Sequence, residues 1–236
     1  MLGKIDETYN TALMVEQSIS DAQPIISASI QYRLGALGYL HTPGPENANI
    51  ALRDQRNALV WIQQFVEGFG GDRSKVTLFG ESGGAMSICS HMLASPPPSG
   101  PLFQRVILMS GVLGPMTAPI SIEEAGRTYE KFLTNLDIQE RGEAGLHVLR
   151  ELDVQKIVEA TAELSSDGLM FLSVQNQEWF GNDAGSVTWD RFPELIAKCD
   201  WVDEIVIGTT GFEVSGCSTS LFDRKSSDVY PRAPCS

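Results

Sequence analysis

Along this chain, short apolar runs rich in β-branched residues alternate with longer stretches whose apolar positions recur at helical spacing. Pro24 to Gln31 (PIISASIQ) is such a run, followed by glycines at 35 and 38, and predicts a buried strand with its exit turn. From Ile50 to Phe69, residues Leu52, Leu59, Ile62, Phe65, Val66 and Phe69 mark one face of an amphipathic helix that Gly70-Gly71 ends. Lys75 to Phe79 predicts a second strand, Gly83 to Leu93 a helix ending before three prolines, and Gln104 to Met109 a third strand. Ser121 to Leu164 is helix-rich, opening on a possible capping box, Ser121-x-x-Glu124, with further periodic segments near Glu143 and Val154. Glu204 to Gly208 (EIVIG) returns to a short strand. Strands separated by helices imply crossover connections and a mainly parallel sheet flanked by helices, with Ser121 to Leu164 as an excursion from it.

The composition narrows this picture. A length of 236 residues with 42% apolar residues supports one domain with a sizeable core. Only the end departs, since Cys217 to Ser236 is rich in Ser, Cys, Pro and charge without periodicity, and is expected to be a loop or disordered tail. The formal charge of −13 repels phosphate backbones, so nucleic acid is not an expected partner. No apolar run approaches the roughly 18 residues of a membrane helix, and no signal-peptide layout opens the chain. Cys89, Cys199, Cys217 and Cys235 lack metal-ligand spacing, so no metal is expected; their even number permits disulfides without requiring them. No motif calls for a cofactor.

Gly80-Glu81-Ser82-Gly83-Gly84 matches G-x-S-x-G between a predicted strand and a predicted helix. In that context the serine occupies a strained turn, flanking glycines avoid clashes, and Ser82 projects above the sheet edge as a nucleophile. Gly83 can then direct its N–H at a developing oxyanion, helped by the positive end of the following helix. The plainer alternative is a glycine-rich turn whose serine merely caps the helix.

The run GESGGAMS, with SIQYRLGALGYL (29–40), NIALRDQRNALVWIQQFVEGFGGD (49–72), LFQRVILMSG (102–111) and IGTTGFE (207–213), resembles the type-B carboxylesterase/lipase family, which includes the cholinesterases. The resemblance is dense from about Gln23 to Gly111 and thin through the helical excursion. It implies the α/β-hydrolase fold, represented by a single partial domain over residues 1–236 that is truncated at both ends. It implies hydrolysis of a small-molecule carboxylic ester through an acyl-enzyme on Ser82, with no cofactor, and complete relatives that are often secreted. Gln31 stands where the family usually has Asn, and Gly83 where it usually has Ala, which keeps the N–H donor but loosens the turn.

Glu213 falls where the family has its catalytic acid, in the chain order Ser then Glu, although Val214 replaces the usual glycine after it. The histidine should come later still, and Val214 to Ser236 contains none; His41, His91 and His147 all precede Glu213. The glycine-rich loop that supplies the other oxyanion donors in this fold is also missing before Pro24, where Gly3 is the only glycine. Ser110 resembles a family serine near the triad, but a serine ending a buried strand is more often a turn residue. The expectation is therefore an esterase by lineage whose 236 residues form an incomplete, inactive fragment. The alternative is a non-catalytic binding or adhesion member of the same family.

Overall fold

A computed structural model of the chain describes residues 10–94 and 96–210. In chain order the helices are α1 (Ala12–Ser20), α2 (Gly35–Tyr39), α3 (Ile50–Phe65), α4 (Gly83–Leu93), α5 (Ile122–Asn135), α6 (Gly142–Glu151), α7 (Val154–Ser166), α8 (Gln177–Phe180) and α9 (Phe192–Ile196). The strands are β1 (Thr77–Glu81), β2 (Arg105–Met109) and β3 (Glu204–Gly208), in the order β1-β2-β3. Both pairings are parallel and in step, so that Glu81, Met109 and Gly208 share the carboxyl edge of the sheet.

β1 starts two residues later than the spacing predicts. Asp72 accepts hydrogen bonds from the N–H and hydroxyl of Ser74, at 2.9 and 2.6 Å, and this cap commits Arg73–Lys75 to a 3-10 turn. A larger difference concerns Pro24 to Gln31, which forms no strand here; Ile25 and Ile26 are 43% and 49% exposed. β-branched composition favours extended backbone, but a strand exists only where a neighbour accepts its ladder, and among the described residues none does. Among the described residues the expected four-strand set is thus a three-stranded sheet.

The helical excursion takes the predicted form. Ser121 caps α5 by accepting from the Glu124 N–H at 3.1 Å, and α5, α6 and α7 follow. Phe132, Leu133, Tyr129, Leu149 and Leu164 from these helices pack with Tyr39, Leu52, Trp179 and Phe180 into one apolar cluster. A second cluster lies on the sheet, where α4 lays Ala85, Ile88, Cys89 and Met92 over Val106 and Leu108 of β2. α3 joins the two, with Leu52 in the first and Leu59 in the second. The outer residues of the predicted α3 face behave differently: Phe65 and Phe69 are 48% and 68% exposed and gather around Trp61 at ring separations of 5.2 and 6.2 Å.

α4 covers one face of β1 and β2. The opposite face carries the register row Phe79, Ile107 and Val206, with Phe79 and Val206 each 47% exposed. β3 is exposed along its whole length.

Two polar ties fix the elements around this frame. Arg33 grips Asp54 of α3 through Nε and Nη2 at 2.7 and 2.6 Å and adds its backbone N–H at 3.1 Å. Asn49, buried and left-handed at φ 56°, pairs with the backbone of Val174 in both directions, donating to its carbonyl at 2.9 Å and accepting its N–H at 2.7 Å. The other side of this segment is held by Ile120, whose N–H reaches Ser173 and whose carbonyl receives Gln175.

Replacing Asn49 by Ala strands a buried N–H and carbonyl on Val174 and forces alanine into a left-handed conformation. Asn49→Ala is expected to lower the unfolding free energy by about 2–4 kcal/mol, measured as a shift in urea midpoint at unchanged slope. A shift equivalent to less than about 0.5 kcal/mol, the size usual for a surface substitution, would contradict the tie.

Candidate active site

β1 runs into α4 through a single residue, Ser82, with φ 50° and ψ −116°. A side chain at positive φ costs on the order of 1–3 kcal/mol, and here the surroundings enforce it. The Ser82 N–H donates to the Met109 carbonyl at 2.9 Å, extending the β1–β2 ladder by one bond, while the Ser82 carbonyl accepts from Met86 at 3.0 Å and starts the helix. One residue therefore ends a strand and opens a helix.

Ser82 stands at the N-cap position of α4, yet its side chain makes no capping hydrogen bond, and the residue is exposed. The plain capping alternative is therefore not the geometry found. The two outer glycines of the motif differ in what they do. A Cβ on Gly80 would lie 2.7 Å from the Gly84 carbonyl carbon and 2.9 Å from the Ala85 nitrogen, so β1 and α4 can meet only if residue 80 has no side chain. A Cβ on Gly84 would meet nothing within 4 Å. Gly83, buried in the first turn of α4, belongs to the helix end whose N–H groups have no acceptor within the helix. Its carbonyl accepts the Ser87 hydroxyl at 2.9 Å, and Ser87 lies 3.1 Å from the Tyr39 hydroxyl. Burial pushes the Tyr39 phenol up to about 12, so it stays neutral. A half-open cavity beside these groups reaches Gly83, Met86, Thr117 and Phe171, with about 20 Å³ of room for water.

The histidines lie as follows. His91 sits nine residues beyond Ser82 on the same helix, about 13 Å along its axis at 1.5 Å per residue. It is buried, bonded through Nε2 to the Gln55 side chain at 2.9 Å, and set edge-on to Trp179 at 5.3 Å. Arg56 stacks over the same Trp179 ring at 3.9 Å. Burial first, and the Arg56 charge second, hold the His91 imidazole down at about 3. His41, half-buried after α2, is lowered by burial, and its Nδ1 is a buried atom with no hydrogen-bond partner among the described residues. His147 is exposed on α6. None of the three is hydrogen-bonded to Ser82.

Glu213 lies outside the described residues, as do Cys217, Cys235 and the whole of the expected tail from Cys217 to Ser236. β3 leads toward Glu213, and its last residue, Gly208, is two strands across from Glu81 at the carboxyl edge, about 10 Å at the usual strand spacing. Cys89 and Cys199 are free thiols, that of Cys89 pushed up to about 12 by burial. Among the described residues no helix is long and apolar enough to cross a membrane.

A parallel sheet with a serine turn at its carboxyl edge, between strand and helix, is the arrangement of an α/β-hydrolase. Residues 3–228 match the model of the carboxylesterase family, and the chain belongs to that family. An acetylcholinesterase from Danio rerio is 43% identical over 111 residues, covering 46% of this chain and 17% of the relative. Lipase 5 of Diutina rugosa is 34% identical over 160 residues, covering 65% of this chain and 29% of the relative. The solved structure of a thermophilic pNB esterase superposes with a TM-score of 0.61 at 30% identity, over 86% of this chain and 39% of that one. The chain thus spans well under half the length of these relatives.

The buried His91 has a pH consequence. Its folded value lies below the ordinary value of about 6.5, so the unfolded state takes up a proton first as the pH falls. The contribution is complete above about 6.5 and is lost progressively toward 3, with stability falling by up to about 1.4 kcal/mol per pH unit. His41 adds in the same direction. Between pH 7 and 5, above most carboxylate titration, His91→Gln is expected to flatten the dependence of the urea midpoint on pH. An unchanged slope would show that His91 is not held neutral.

Proposed function

We propose that this chain carries the nucleophile of a carboxylic-ester hydrolase. The observation that carries the reading is Ser82: its backbone is held at positive φ between β1 and α4, and its hydroxyl is not used as a cap, in a member of the carboxylesterase family. Ser82 Oγ would attack the ester carbonyl as an imidazole accepts its proton, and the tetrahedral oxyanion would be met by the Gly83 N–H at the positive end of α4. Collapse expels the alcohol, protonated by the imidazolium, and leaves an acyl-serine; water, deprotonated by the same imidazole, then releases the acid. Glu213 is proposed as the carboxylate that orients the imidazole, and the alignment of β3 beside the Ser82 edge supports it. The partner is a small-molecule carboxylic ester.

Within these 236 residues no histidine takes the role of base in this reading, since none of His41, His91 and His147 is hydrogen-bonded to Ser82. His91 is spent on Gln55 and the Trp179 face, about 13 Å along the helix from Ser82, and His147 is exposed on α6. Triad members act as a unit, so without the base the chain by itself is proposed to be inactive, slower than a complete triad by on the order of 10⁶. The intact elbow argues against a binding or adhesion role, for which neither the strained serine nor its glycine would be needed.

The purified chain is expected to turn over p-nitrophenyl acetate no faster than Ser82→Ala. With imidazole supplied in the buffer, a serine-directed phosphonate should modify one residue stoichiometrically, mapped by peptide mass to Ser82. Labelling spread over other serines would overturn the nucleophile reading. Rapid labelling without imidazole that is abolished by substituting His41, His91 or His147 would reveal an internal base and overturn the proposed inactivity.

A further inference from the structure

Where β2 leaves the sheet, its exit lies directly against the serine turn. The Met109 carbonyl holds the Ser82 N–H at 2.9 Å. Ser110 then turns at φ 48° and gives its own N–H to the Gly208 carbonyl at 2.8 Å, which anchors the exit from the β3 side. The next residue is Gly111. A Cβ built there would sit 2.3 Å from the Ser82 carbonyl oxygen and 2.9 Å from both its carbonyl carbon and its Cα. All three neighbours are backbone atoms of one residue, so no flexible side chain can swing away to relieve the contact.

From this we infer that Gly111 is a positioning residue for the nucleophile: by having no side chain it lets the exit of β2 press against the Ser82 peptide and hold the serine at positive φ. The inference rests on the reading of Ser82 as nucleophile. Gly80 restrains the turn from the α4 side, while Gly111 restrains it from the β2 side, at a position outside the serine motif. Real Cβ atoms essentially never come closer than 3.0 Å to such neighbours, so a methyl group at 111 must move the Ser82 carbonyl or the β2 exit by several tenths of an ångström or more. Because the Ser82 carbonyl also receives the first helical hydrogen bond, from Met86, the displacement is passed to the start of α4.

The test compares Gly111→Ala with Gly126→Ala, a helical glycine whose added Cβ meets nothing within 4 Å. With imidazole in the buffer, saturation labelling by a phosphonate separates binding from reaction. Gly111→Ala is expected to lower the limiting rate at Ser82 by about 100-fold, the usual penalty for a misplacement near 1 Å, with the half-saturating concentration little changed. Gly126→Ala should behave as the parent does. A limiting rate for Gly111→Ala within threefold of the parent would overturn the inference, threefold being about 0.65 kcal/mol. Amide hydrogen exchange gives a readout independent of reactivity. Gly111→Ala should expose the Ser82 and Met86 amides to faster exchange while Val106 to Leu108, in the central strand, stay protected. Unchanged protection at Ser82 would overturn the inference, as would equal loss throughout β2, which would make residue 111 a packing position for the whole sheet. Should the parent show no labelling while the exchange pattern changes as described, the clamp stands and the nucleophile reading fails.

Discussion

The approach of three backbones around Ser82 is the constraint on which the rest of this structure depends. β1, the first turn of α4 and the exit of β2 come so close that residues 80 and 111 have no space for a Cβ, and the residue between β1 and α4 must take a conformation that side chains ordinarily avoid. That costs on the order of 1–3 kcal/mol at Ser82. The burial of Ile88, Cys89, Met92, Val106 and Leu108 between α4 and β2 offsets it, at roughly 1.5–3 kcal/mol for each large apolar side chain. A packed core therefore holds a strained serine at the carboxyl edge of the sheet, with its hydroxyl not used as a helix cap.

The remaining architecture locates this frame relative to the helical excursion. α3 passes from one apolar cluster to the other, Arg33 anchors the turn before α2 to Asp54 on α3, and Asn49 stitches the start of α3 to Val174 beyond the excursion. Arg33, Asn49 and Asp54 lie in runs by which the sequence resembles the family, which gives those runs a physical meaning: they are where distant segments are fastened. The exposed row Phe79 and Val206 and the aromatic group of Trp61, Phe65 and Phe69 are among the places where this arrangement leaves apolar surface open.

What could be read from sequence followed the range of the interactions involved. α4 falls over Gly83–Leu93, as its small and unbranched residues and the prolines beyond it require, and β3 over Glu204–Gly208, as its apolar run requires. β1 starts later than its apolar run suggests because the Asp72 cap competes for Arg73–Lys75, and Pro24 to Gln31 forms no strand because β-branching encodes extension but not a partner. At the site, the serine motif was legible because strand, turn and helix are contiguous. Gly111 was not, since its requirement comes from a contact across nearly thirty positions of sequence, and only its place at the end of a strand hinted at it. Gly84 shows the reverse, a motif glycine whose Cβ would meet open space. Glu213 rests on resemblance and on the alignment of β3, and lies outside the described residues.

A crystal structure of the chain, refined well enough to fix the backbone at residues 80–86 and 109–111, tests the central claim most directly. The expected result is Ser82 at φ near +50° with its N–H on the Met109 carbonyl, Gly111 against its own carbonyl, and no histidine within hydrogen-bond reach of Oγ. Ser82 inside a regular helix at negative φ, or an imidazole of this chain bonded to its hydroxyl, would contradict the account.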